Sequence, residues 1–119
     1  MSNLLDKKCI PHERDMLPFD IDEIHKYQKK VDGWNLKQNE KRVYFLEKNF
    51  VFKNFKDSQN FTNKVGEVSE QENHHPDISF GWGYAKILIT THAIKGLSEN
   101  DFVLAAKIDQ IFSVLNVVF

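Results

Sequence analysis

Glu70-Gln71-Glu72-Asn73-His74-His75-Pro76 holds two adjacent histidines locked by a proline, and Trp82, His92 and Asp101 follow it at fixed distances. Three of the five histidines fall within nineteen residues, 74 to 92. Imidazole is the side chain whose ordinary pKa lies nearest neutral pH, so such a cluster points to proton transfer or metal binding. The spacing favours proton transfer. Adjacent histidines usually diverge, helical zinc ligands recur at i and i+4, and the chain has no cysteine pair and no His-Glu-x-x-His. No metal and no cofactor is therefore expected. Nucleophilic catalysis has less support still, because Cys9 sits in an irregular region and no Gly-x-Ser-x-Gly elbow or phosphate-cradling glycine loop occurs.

Each of these residues also has a quieter reading. Pro76 holds His75 extended, which places His74 at or just past the end of a helix, where carbonyls of partial negative charge would suit an imidazolium donor. The same His-His-Pro could simply stop that helix. His92 could be an ordinary strand-end histidine. Asp101 occupies the fourth place of Ser98-Glu99-Asn100-Asp101, a capping box, so it could accept a backbone N–H, orient an imidazole, or do both. Glu70 lies one helical turn before His74 and could hold an imidazole or face water.

The elements that must position these groups follow from periodicity. Residues 1–17 read as an irregular arm, interrupted at Pro11 and bounded by Pro18. A single domain then occupies 18–119. Asp20 or Asp22 caps a helix to about Val31, with Ile21, Ile24, Tyr27 and Val31 on its apolar stripe, and Asp32-Gly33 ends it. A short strand opens at Trp34, 38–41 is a polar turn, and 43–52 is a longer strand dense in aromatic and branched residues. A helix from about Phe55 to just before Pro76 buries Phe61, Val65 and Val68. Residues 81–91 read as one strand, with Ala85, Ile87 and Ile89 on the core face and Trp82, Tyr84, Lys86, Leu88, Thr90 and then His92 on a mixed face. The last helix is apolar almost all round, from Phe102 through Ile111, Val114 and Leu115 to Val117, Val118 and Phe119. It is expected to be partly buried against another subunit. The order defines an α+β fold with a mainly antiparallel sheet.

Composition narrows the function classes. A chain of 119 residues, 41% hydrophobic and 13% aromatic with ten Phe, can bury one modest core. The formal charge of −1, with both signs intermixed, gives no reason to expect nucleic acid or an anionic membrane as partner. One cysteine excludes an internal disulfide and suits a reducing cytosol, and no apolar run reaches membrane-spanning length. A small cytoplasmic protein is expected.

Together these residues resemble the pterin-4a-carbinolamine dehydratase family, also called 4a-hydroxytetrahydrobiopterin dehydratases. The family pattern sets an acidic residue, His-His-Pro, an aromatic, a histidine and an aspartate at the spacing of Glu70, His74-His75-Pro76, Trp82, His92 and Asp101. Gly33-Trp34-Asn35, Phe50-Val51-Phe52-Lys53-Asn54-Phe55 and the stretch 91–101 are similar to family segments as well, so the likeness runs from about Pro18 to the C-terminus. The chain departs from the pattern at Asn73, Ile78 and Asn100, where Asp, Trp and a basic residue are frequent. The resemblance implies a four-stranded antiparallel sheet with three helices on one face, and association as homodimers or homotetramers. It implies dehydration of 4a-hydroxytetrahydrobiopterin to the quinonoid dihydropterin, in support of cofactor recycling. It implies His74, His75, His92 and Asp101 as catalytic residues, and Glu70, Asn73, Pro76, Trp82, Thr90 and Thr91 as substrate-binding ones. The alternative is a non-enzymatic role as a binding or dimerisation partner of a transcription factor or an assembly.

Overall fold

The computed structural model of the chain describes residues 4–11 and 16–116. Three helices, α1 (Ile21–Gln28), α2 (Phe55–Glu72) and α3 (Glu99–Asn116), pack with four strands, β1 (Asn35–Gln38), β2 (Tyr44–Val51), β3 (Asp77–Gly81) and β4 (Tyr84–Ile89). The strands form one antiparallel sheet in the order β1-β2-β4-β3. This is the α+β architecture expected, and it corrects one element. Residues 81–91 are not a single strand: β3 and β4 form a hairpin that turns at Trp82-Gly83, where Gly83 takes a φ of 82°. A glycine reaches that left-handed conformation without steric cost, which lets two residues reverse the chain. The turn was hidden because large side chains still recur at every second position, Ile78, Phe80, Trp82 and Tyr84, even though the core-facing set then shifts by one to Ala85, Ile87 and Ile89.

Register explains which face is buried. Leu36, Leu46 and Ile89 lie in one cross-strand row, Ile78, Ile87 and Lys48 in the next, and Phe80, Ala85 and Phe50 in a third. Leu46, Ile87, Ile89 and Ala85 are fully buried on this side. Rings complete the core, with Phe50 at 4.8 Å from Phe61 and 5.0 Å from Phe112 between centroids. The opposite face is open and carries a charge ladder in which Glu47 meets Lys37 at 2.6 Å and Lys86 at 3.9 Å. α2 packs on β3, β4 and α3, and Ser58 Oγ donates to the Gly81 carbonyl at 2.6 Å, fixing helix to hairpin. Trp34 Nε1 and Lys48 Nζ both donate to Asp109, which ties the sheet to α3. Burial raises the Asp109 carboxyl above its ordinary range, and these two donors oppose the rise.

Of the two candidates for the first cap, Asp20 takes the role and accepts the Glu23 amide at the start of α1. Asn54, to which the sequence reading assigns no cap, accepts the Asp57 amide at the start of α2. α1 stops at Gln28 rather than Val31, and Ile21, placed on its apolar stripe, is 39% exposed. Val117, Val118 and Phe119 lie outside the described residues. Among the described residues, no helix is long and apolar enough to cross a membrane.

The N-terminal segment is anchored to the helices. Leu4, in a short 3-10 helix (Leu4–Asp6), is buried against α3. Asn100 pairs with the backbone of Ile10 through both amide groups, at 3.0 and 2.7 Å, and Glu72 accepts the Cys9 amide at 2.8 Å while pairing with Lys107 at 2.9 Å. This coating, with α1, explains how the first half of α3 can be apolar on every side. Glu99 holds the segment too, accepting from Lys7 at 2.8 Å and Tyr27 at 2.7 Å. Those hydrogen bonds keep its carboxyl below the ordinary range, against a smaller effect of burial. A lowered folded-state pKa contributes stability that is complete above the unfolded value and is lost as pH falls through the folded one. Hydrogen-exchange protection factors for residues 4–8 should therefore drop as the pH is taken below about 4. Glu99→Gln should weaken that protection at neutral pH and flatten this part of the profile.

Candidate functional site

The site is built where α2 ends, β4 ends and α3 begins. α2 terminates in a Schellman motif: Asn73 adopts a left-handed φ of 52°, its amide donates to the Glu70 carbonyl, and the His74 amide donates to the Ser69 carbonyl. Asparagine is one of the few residues other than glycine that enters this region readily, which gives position 73 a structural reason of its own. The motif satisfies two carbonyls of the last turn, so His74 does not meet the bare helix end that its sequence position implied. It also reverses the chain and sends His74 inward.

His74 is 7% exposed, and its Nε2 lies 2.6 Å from Asp101 Oδ1. Asp101 is fully buried. Its second oxygen, Oδ2, accepts from Thr91 Oγ1 at 2.7 Å and from the Ser98 amide at 2.8 Å. The capping box is thus half formed. Asp101 reaches back to the N-cap amide as such a residue should, while the Ser98 hydroxyl turns to Thr91 at 3.1 Å. One carboxylate caps α3 and fixes an imidazole, so both roles open to Asp101 are realised. A carboxylate with three hydrogen-bond partners is the form in which buried charge is tolerated.

The other two histidines of the motif are solvent-facing. His75 is exposed, and its Nε2 lies 2.6 Å from Glu70 Oε1. Glu70 therefore holds an imidazole, that of His75 rather than of His74. His92 is exposed and opens a 3-10 turn (His92–Ile94), so it does not continue a strand face: the chain leaves the sheet after Ile89. This loop is closed by a bridge between Thr91 and Gly96, and Thr90 Oγ1 donates to the Tyr44 and Gly96 carbonyls. Gly96 lets the loop approach the segment before α1, since a Cβ there would lie 2.5 Å from Pro18 Cβ. Thr91 joins Asp101 and His74, and His92 follows it in the chain, so the cluster gathers all three histidines' segments.

Trp82 is the exception. It lies six positions beyond Pro76, at ~3.4 Å for each step along β3. It sits 71% exposed at the far turn of the hairpin and is not brought to the histidines within this chain. Sequence reasoning missed a cavity of about 410 Å³ beside His92, lined by Asn39, Lys41, Val43, Thr90, His92 and Lys95. Its lysines carry no motif, and only their nearness to Thr90 and His92 in sequence or across the sheet could have signalled it. Burial and then the Glu72 carboxylate push the Cys9 thiol up to about 12, which disfavours the thiolate that a nucleophile requires. Among the described residues no three His, Cys, Asp or Glu side chains converge as a metal site requires.

Three helices packed on a four-stranded antiparallel sheet, with one histidine locked on a buried aspartate, define a small α+β protein with a candidate acid–base site. The profile of the family described as pterin 4 alpha carbinolamine dehydratase matches residues 18–111, and the chain belongs to that family. A Rubrobacter xylanophilus protein named "Putative pterin-4-alpha-carbinolamine dehydratase" is 41% identical over 93% of this chain and 100% of its own length. One of the same name from Alkaliphilus metalliredigens is 44% identical over 92% of this chain and 96% of its own. Among solved structures, a transcriptional coactivator/pterin dehydratase from Brucella melitensis shares the fold, with a TM-score of 0.70 and 23% identity over 79% of this chain and 97% of that one. A pterin dehydratase-like RuBisCO assembly factor of the alpha-carboxysome shares it at a TM-score of 0.57, 24% identical over 66% of this chain and 88% of that one.

The two carboxylate–histidine pairs should differ sharply in energetic weight. Asp101→Asn is expected to destabilise the fold by about 2–4 kcal/mol in urea unfolding, because a buried, triply bonded acceptor gains a donor it cannot place. Glu70→Gln, at an exposed pair, should change it by less than about 1 kcal/mol.

Proposed function

We propose that the chain dehydrates 4a-hydroxytetrahydropterins to quinonoid dihydropterins by imidazole acid–base catalysis. Family membership supports the substrate class. The observation that carries the chemistry is the buried His74–Asp101 pair, held by Thr91 and Ser98, beside the exposed His75 and His92. In the reaction the C4a–O bond breaks as the hydroxyl takes a proton and leaves as water, while N5 loses its proton and C4a=N5 forms. One proton is delivered and one removed, so the balance needs no oxidant or reductant. Each transfer by a positioned imidazole is worth roughly 10²–10⁴-fold.

The three histidines divide the work by environment. His74 is fixed in orientation by the Asp101 carboxylate. His75 and His92 face the solvent side, where substrate enters and protons can be exchanged with water. Glu70 steadies His75. Thr90 and Thr91 set the loop that presents His92, and Asn73 with Pro76 sets the turn that presents His75.

Stopped-flow decay of enzymatically generated 4a-hydroxytetrahydropterin tests this directly. The protein should accelerate decay without added metal. His75→Ala/His92→Ala, both at exposed positions, should remove at least about 100-fold of that acceleration while leaving circular dichroism unchanged. Retained turnover in the double variant would overturn the assignment.

A binding role has one observation in its favour. Ile111, Val114 and Leu115 of α3, with Lys64 and Gln110, line an apolar groove of about 230 Å³, and Val114 is 60% exposed. This groove is proposed to pack against a second copy of the chain, as the family resemblance implies, or against a protein partner. Light scattering coupled to size exclusion should give a dimer or tetramer, and Val114→Asp should shift it towards monomer. A wild-type monomer would leave the groove to a different partner.

A further inference from the structure

Apart from His92 itself, the residues lining the cavity beside it have no part in the proposed proton transfers, yet they adjoin the group that would act on the pterin ring. Two lysines, Lys41 and Lys95, are among its lining residues, and no Asp or Glu is. Asn39 Oδ1 accepts the amides of Lys41 and Val43, at 2.8 and 3.0 Å, so the polar group it has left is the Nδ2 donor. The Thr90 hydroxyl hydrogen is directed to main-chain carbonyls, which makes that wall rigid. The surroundings of the cavity are thus rich in positive charge and donors.

The backbone around it is equally specific. Only three non-glycine residues among those described have positive φ: Asn73, which ends α2 beside the histidine pair, and Arg42 and Lys95. Arg42, at φ 63°, lies between the two lining residues Lys41 and Val43; Lys95, at φ 56°, lines the cavity itself. Neither is a residue that enters the left-handed region readily. Both are held there by their neighbours, the Arg42 amide on the Asn39 carbonyl at 3.0 Å and the Lys95 amide on the His92 carbonyl at 3.2 Å. Strained positions of this kind concentrate at ligand-binding sites.

The chemistry of the substrate says what the cavity would hold. In a pterin, C6 is bonded to N5, and N5 is bonded to C4a. A group on C6 therefore leaves the ring next to the two atoms that exchange protons. If His92 addresses that edge, the C6 side chain runs into the space His92 shares with Lys41 and Lys95. We propose that this cavity is the side-chain subsite and that it selects pterins whose C6 substituent ends in an anion, a phosphate monoester above all. The proposal rests on the dehydratase reading and adds the substrate class. A volume of about 410 Å³ accommodates a short side chain together with a phosphate.

Calorimetric titration of the full chain with 6-hydroxymethyl-7,8-dihydropterin and with its phosphate monoester separates the two readings. The phosphorylated compound should bind at least about tenfold more tightly, and the gap should shrink in about 0.5 M salt, as expected for partly exposed charges. In Lys41→Ala/Lys95→Ala the phosphorylated compound should lose at least about tenfold more affinity than the neutral one. Absence of a gap in the wild-type protein, or a gap that survives the double substitution, would overturn the subsite. Inorganic phosphate binding as tightly as the phosphorylated pterin would overturn the side-chain assignment by making this a free-anion site. Turnover is then measured with the 4a-hydroxytetrahydropterins carrying the same two side chains. A lysine-dependent affinity gap with neither compound dehydrated would overturn the dehydratase reading and leave the anion subsite supported.

Discussion

Asp101 is the residue on which the rest of the site depends. It sits at the first turn of α3 with no exposure to solvent, and its two oxygens are divided among three elements: His74 after α2, Thr91 after β4, and the Ser98 amide at the helix start. A buried carboxylate is tolerated only when its charge is answered by donors, so the three partners are a condition of its burial as well as a consequence. The result is that helix capping and histidine orientation are a single constraint. The loop that carries His92 is held by the same atom that caps α3.

Around that constraint the fold supplies rigidity from two sides. The sheet has one apolar face, set by register, and the rings of Phe50, Phe61 and Phe112 fill the space beneath α2 and α3. On the other side of α3, the N-terminal segment takes the place of solvent through Leu4, Lys7 and the paired backbone of Ile10. Asn100 thereby has a structural task one residue away from Asp101. The Asn100 side-chain amide pairs with the backbone of Ile10 as donor and as acceptor at once.

Much of this was legible in the sequence. The helices, the caps at Asp20 and Ser98–Asp101, the buried face of β4 and the spacing of the histidine motif follow from local rules, because each depends on a regular pattern along the chain. The pairing partners did not. Glu70 holds His75 and not His74, because Asn73 turns the chain through a left-handed residue and reverses which imidazole faces the helix. The β3–β4 hairpin escaped notice because large side chains alternate through Trp82 and Tyr84, and the one-position shift of the core-facing set from Ile78 and Phe80 to Ala85, Ile87 and Ile89 was its only trace. Trp82, a fixed member of the motif, stands at the far end of that hairpin, so spacing along the chain was no guide to distance from the histidines. The cavity with Lys41 and Lys95 joins a turn and a loop some fifty residues apart, and no periodicity reports such a meeting.

The His74–Asp101 bond spans twenty-seven positions and encloses the whole β3–β4 hairpin and the loop that follows it. A chain in which α3 has come away can keep its hairpin, but it loses the carboxylate and leaves His74 without that partner. The imidazole environment of His74 is therefore a gauge of tertiary completeness. A ring signal from this one residue would distinguish a fully assembled molecule from one that has secondary structure alone.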